Sequence, residues 1–181
     1  MLRCVFLAVV LWALPGLADE RATRPRVSAN GAFTVRMVEQ GAGQCVLEVA
    51  SDSGPVWTLK QCVGTVDDLY FVSNDGERVW VLYPIAPKGT VKLPGKQNKK
   101  IPEWANTGVA VEYDRQGSRY REKRLLDFVE PHLLPQVRQM SQHVKWLEGT
   151  LGVPGKSPRL TDAGHLEFET VGGGKSHQLK F

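Results

Sequence analysis

Beyond its first eighteen positions the sequence has no apolar run approaching the roughly twenty residues that a membrane-spanning helix needs. Cysteine is scarce, with three in 181 residues, at positions 4, 45 and 62. No Gly-x-Ser-x-Gly, His-Glu-x-x-His or comparable catalytic motif is present, so no reaction class is assigned by signature. Gly155-Lys156-Ser157 and Gly174-Lys175-Ser176 copy only the tail of a phosphate-binding loop, since Thr150 and Glu169 stand where its earlier glycine belongs. The four histidines include His132 and His143, which a helix would place roughly 16 Å apart, too far to hold one ion. No metal or cofactor is expected. The formal net charge of +4 is too small to point to nucleic acid.

What is present begins with Met1-Leu2-Arg3, an apolar stretch from Cys4 to Leu14, and the small-residue end Pro15-Gly16-Leu17-Ala18. This pattern predicts a secretory signal peptide cut after Ala18. Asp19 stands where a lipid-bearing cysteine would, so no lipid anchor is expected. The remaining 163 residues suit one domain, with residues 19–28 as a flexible polar lead-in and 29–181 as a single β-rich unit. Losing Arg3 lowers the net charge from +4 to +3. The expected location is secreted or periplasmic.

In that oxidising setting Cys45 and Cys62 form an expected disulfide. Pairing Leu47 with Leu59 and Val49 with Trp57 gives a consistent apolar face but sets Cys45 across from Gln61. A direct Cys45–Cys62 register would place Lys60 and Thr58 against the apolar residues instead. The apolar register is therefore expected, with Cys62 just past the strand end and a bulge bringing the sulfurs together.

The strongest hairpin signal is Asp67 to Pro84. Leu69 to Val72 and Val79 to Tyr83 flank Ser-Asn-Asp-Gly, and β-branched and aromatic residues fill both arms. Neither arm alternates with polar residues, which predicts a hairpin covered on both faces. Strands are also predicted at Ala32 to Glu39, Cys45 to Ala50, Val56 to Lys60 and Val109 to Tyr113, giving an antiparallel meander. A final hairpin is expected in which Leu166, Phe168 and Thr170 share one face and Gly172-Gly173-Gly174 turns the chain.

Ser28-Ala29-Asn30-Gly31 and Ser73-Asn74-Asp75-Gly76 repeat Ser-x-[Asn/Asp]-Gly at a separation of 45, with echoes at Asp114 to Gly117 and Thr161 to Gly164. Residues 28–84 resemble the β-propeller repeats of envelope proteins such as those of the Tol system. The resemblance implies blade-like hairpins and a binding scaffold rather than a catalyst.

Two further features complete the expectation. Lys88, Lys92, Lys96, Lys99 and Lys100 fall among prolines and glycines with no acid between them, a surface loop suited to an anionic partner. From Lys123 a helical period is read, predicting helices around 122–130 and 134–149. In the second, Val137, Met140, Val144, Leu147 and Leu151 form a stripe that covers the sheet. The expected whole is a mainly β domain with a helical cover, acting as an exported envelope binding or structural module. Its partner would be an envelope protein, an anionic glycan or an anionic lipid surface. A small exported hydrolase with a dispersed site is the alternative.

Overall fold

The computed structural model describes residues 20–41, 43–90, 101–172 and 175–181; the expected signal peptide over residues 1–18 and Lys92, Lys96, Lys99 and Lys100 lie outside them. In the polar lead-in, β1 (Arg21–Ala22) and β2 (Arg26–Val27) both pair with one edge of β3 (Phe33–Glu39). The other edge of β3 takes β4 (Cys45–Ser51), which pairs with β5 (Gly54–Leu59).

The β4–β5 ladder has the apolar register, with Leu47 opposite Leu59 and Val49 opposite Trp57. Its bulge lies at the turn end, where Ala50 opposes Pro55 and Val56 is the extra residue. At the other end the chain runs past Leu59, and Cys62 bonds Cys45 with their Cα atoms 4.9 Å apart.

The expected continuous meander breaks after β5. Beyond Cys62 the chain is held by Tyr83 Oη donating to the Val63 carbonyl, Tyr70 Oη donating to the Thr65 carbonyl, and Asp68 Oδ2 accepting from the Thr65 amide and hydroxyl. These contacts deliver β6 (Leu69–Val72) and β7 (Arg78–Leu82) into a second sheet. β8 (Ile85–Pro87) leaves for a third sheet, and β9 (Gly108–Asp114) with β10 (Arg119–Arg124) returns to the second, in the order β10-β9-β7-β6. Among the described residues no sheet closes into a barrel.

The β6–β7 hairpin separates two cores, as its unbroken apolar arms predict. Tyr70, Val72, Val79 and Val81 pack with Val35, Met37, Leu47 and Val49 of the first sheet. Phe71, Trp80 and Leu82 turn the opposite way, toward Trp146, Leu147, Leu166 and Phe168. Each large side chain so buried stabilises the fold by about 1.5–3 kcal/mol, which is why this hairpin tolerates no polar alternation.

The predicted helices are not formed. Among the described residues helical geometry is confined to 3-10 turns at Glu103–Ala105, Leu125–Asp127 and Pro131–Gln136. The rest of the region holds the short strands β11 (Arg138–Gln139) and β12 (His143–Lys145), with β12 pairing β8. The 3.6-residue stripe fails because Met140 and Leu151 are exposed, whereas Trp146, which it omitted, is fully buried. Prolines at 131 and 135 and β-branched Val137 and Val144 disfavour a helix, and Val144 and Trp146 follow the period of two of an extended chain. The cover over the second core is thus made of strands and loops.

The chain ends in β13 (Arg159–Leu160), β14 (Leu166–Glu169) and β15 (Ser176–Leu179), an antiparallel sheet. Leu166, Phe168 and Thr170 are buried together, as their alternation predicts; of the Gly172 to Gly174 turn only Gly172 is described.

The repeated turn motif is also a structural repeat. In the first turn the Ser28 amide donates to the Phe33 carbonyl and the Ser28 hydroxyl to Asn30 Oδ1; the Ala32 amide donates to Asn30 Oδ1 and the Phe33 amide to Ser28 Oγ. Ser73, Asp75, Glu77 and Arg78 reproduce each of these bonds in the second. Gly31 and Gly76 supply the positive φ, +76° and +73°, that closes this side-chain-braced turn. The two turns also grip each other, since the Asn30 amide donates to Asn74 Oδ1 and Asn30 Nδ2 to the Asn74 carbonyl.

His177 on β15 packs against Phe128 and Phe168 with its Nε2 buried and without a hydrogen bond. Burial, aided by Lys175, holds its pKa below the usual 6.5. The unfolded chain therefore binds a proton more readily, so stability is complete above pH 6.5 and falls as pH drops through the folded-state pKa. Thermal unfolding at pH 7.5 and 5.5 should show a smaller acid-side loss for His177→Gln than for the parent. An equal loss in both proteins would exclude His177 as its source.

Candidate functional site

Strands β7, β9 and β10 place Trp80, Glu112 and Arg121 side by side, because Trp80 and Arg121 are both register partners of Glu112. Glu112 is an acid inside the apolar run Val109 to Tyr113, and its side chain is 0% exposed. Such a charge requires opposite charge close by. Arg121 Nε donates to Glu112 Oε2, and Arg78 Nη1 lies 3.4 Å from Oε1, an atom with no hydrogen bond of its own. The Glu112 interaction raises the Arg121 pKa above its ordinary value. Arg121 Nη2 and Trp80 Nε1 both donate to the Lys180 carbonyl, tying the chain end to this row.

A bulge then decides which side chain faces solvent. Arg119 pairs with Tyr113 and Arg121 with Glu112, leaving Tyr120 as the extra residue. In an unbulged strand Tyr120 would sit opposite Glu112; the bulge gives that position to Arg121 and turns the tyrosine outward. Tyr120 is 61% exposed, the highest value among the exposed large apolar side chains of the described residues. Its ring is held beneath two cations, with the Arg78 guanidinium 5.5 Å and that of Arg121 5.6 Å from its centre. Arg119 and Glu122 pair beside it at 3.6 Å.

The result is an exposed aromatic, fixed in place and ringed by arginines, on a strand that is an edge of its sheet. Tyrosine and arginine are the residue types that dominate binding hot spots. The charged edge also guards against unwanted strand pairing, a role that needs no outward tyrosine.

Of the five lysines chosen from sequence, Lys88 lies among the described residues. Lys88 is half-buried and its amide donates to the Gln142 carbonyl; Thr107 Oγ1 bonds the neighbouring Pro87 carbonyl. Asn106 Oδ1 accepts from Arg124 Nη1 at the end of β10. Lys92, Lys96, Lys99 and Lys100 lie outside the described residues. Cys45 and Cys62 serve the fold. His165 and His177 are not register partners, since His177 faces Phe168, and no group of three metal-ligating side chains occurs among the described residues.

Sequence reasoning missed Arg78, Glu112, Tyr120 and Arg121. The usable signal was Glu112, a lone acid in an apolar strand, followed across a turn by Arg-Tyr-Arg. A dispersed hydrolase site would be marked by a deep polar pocket holding a histidine or carboxylate with a strongly perturbed pKa. Burial does raise the Asp68 pKa, but its oxygen is engaged in closing the loop after Cys62.

No family model, no curated protein and no solved structure matches the chain.

Proposed function

We propose that this protein is an exported binding module that docks on an acidic face of an envelope partner through β10. The observation that carries the reading is the bulge that swaps Tyr120 for Arg121 beside Glu112. It spends a buried acid and two arginines on holding one outward aromatic. Arg119, Lys123 and Arg124 extend positive charge along the same strand, and the five lysines from Lys88 to Lys100 add attraction that speeds encounter and weakens in salt.

Affinity capture of the mature protein from its native envelope tests this. Tyr120→Ala should weaken capture by about 2 kcal/mol, roughly thirtyfold, as loss of a hot-spot aromatic does. Arg119→Gln should act mainly through association rate, and added salt should imitate it. Capture that is insensitive to salt and to Tyr120→Ala would overturn the reading.

A further inference from the structure

We propose that the cleft beside Arg26 is a binding site for a single carboxylate group, carried by a free small acid or by an acidic side chain or chain end of a polypeptide. Arg36, Arg78, Arg121 and Arg159 each meet a glutamate. Arg26 does not. Its guanidinium lies 4.8 Å from the centre of the Phe71 ring, half-buried, and among the described residues no carboxylate comes within ion-pair distance. Burial lowers its pKa from the ordinary value, with no compensating anion. A desolvated cation with only a ring face for company is costly to keep, and an arriving carboxylate would complete it through paired charge-assisted hydrogen bonds.

The space for that group is present. A cleft of about 130 Å³ opens at Arg26, lined also by Asp67, Leu69, Thr150, Leu151 and Ser157. This is well below the roughly 300–1,000 Å³ of pockets that enclose a whole drug-sized ligand, so it admits one small group or one side-chain tip. The far wall is built stiffly. Leu151 holds φ +45°, the one positive value among described non-glycine residues, and Lys145 Nζ donates to its carbonyl. Thr150 Oγ1 donates to the Leu147 carbonyl and Ser157 Oγ to that of Gly149. Exposed Asp67 lines the same cleft without pairing with Arg26. Its negative charge disfavours a dianion more than a monoanion, which selects carboxylate over phosphate.

The test is an NMR titration of the folded mature protein at low salt. The probes are acetate, a short neutral peptide with a free C-terminal carboxylate, its C-terminal amide, and inorganic phosphate. Acetate or the free-acid peptide should give saturable shifts at Leu69 and Leu151, the amide and phosphate should not, and the tighter of the two binders identifies the source. Arg26→Met, which removes the charge and keeps an unbranched side chain, should weaken binding at least tenfold. Asp67→Asn, at an exposed position, should tighten it severalfold and admit phosphate, and it decides the matter should Arg26→Met fail to fold. No saturable shift in the parent, equal binding of acid and amide, or affinity indifferent to both substitutions would overturn the proposal. Each of those results leaves the Tyr120 surface untouched, because neither variant lies on it.

Discussion

Glu112→Ala should destabilise the protein by about 3 kcal/mol, because removing one partner of a buried ion cluster leaves the others uncompensated. The low end of the usual range applies, since Arg78 and Arg121 keep side-chain exposures of 29% and 36% and can turn toward water. Urea unfolding should show a lower midpoint at unchanged slope. Binding should fall as well, because the guanidiniums that fix Tyr120 lose their anchor. Glu112→Leu combined with Arg121→Met separates the two effects. Apolar replacement of buried charges is often neutral, so stability should largely return while binding does not. A Glu112→Ala protein with parental stability would contradict the role given to this acid.

Reduction of the Cys45–Cys62 bond, or its replacement by two alanines, should cost roughly 3 kcal/mol. The bridge spans a sequence separation of 17, and closing a loop of that length removes about this much freedom from the unfolded chain. The loss should be felt beyond β4 and β5, because the bond starts the segment that Tyr83, Tyr70 and Asp68 hold against the second sheet. Unfolding with and without reductant measures it. Mass spectrometry of the unreduced protein should show the linked pair; free thiols at both positions, or a reductant-independent midpoint, would contradict the prediction.

The elements legible in the sequence were those set by local rules. The apolar pairing of Leu47 with Leu59 dictated the β4–β5 register, Asp-Gly marked the central turn, and the unbroken arms of β6 and β7 announced two covered faces. The repeated serine turns were legible because their hydrogen bonds lie within six residues.

The helical reading of 134–149 failed for the opposite reason. Val137, Val144 and Leu147 are buried by strands distant in sequence, so their spacing reflects tertiary packing and only imitates a helix period. The Tyr120 surface was illegible because it depends on a bulge. One extra residue reverses which side chains face the core, and nothing in Arg119 to Arg124 states where that residue falls. Arg26 was hidden in a polar stretch, since its want of an anion is a property of the assembled cleft.

The most direct measurement places a photo-crosslinking amino acid at position 120 and, as control, at Val56, which is 44% exposed on the first sheet. Irradiation in the native envelope, followed by identification of the adducts, should yield one recurrent partner from position 120 whose contacting segment is acidic. Position 56 should not yield it. The same adducts from both positions, or none from position 120 where a known envelope contact crosslinks in parallel, would contradict a binding surface on β10.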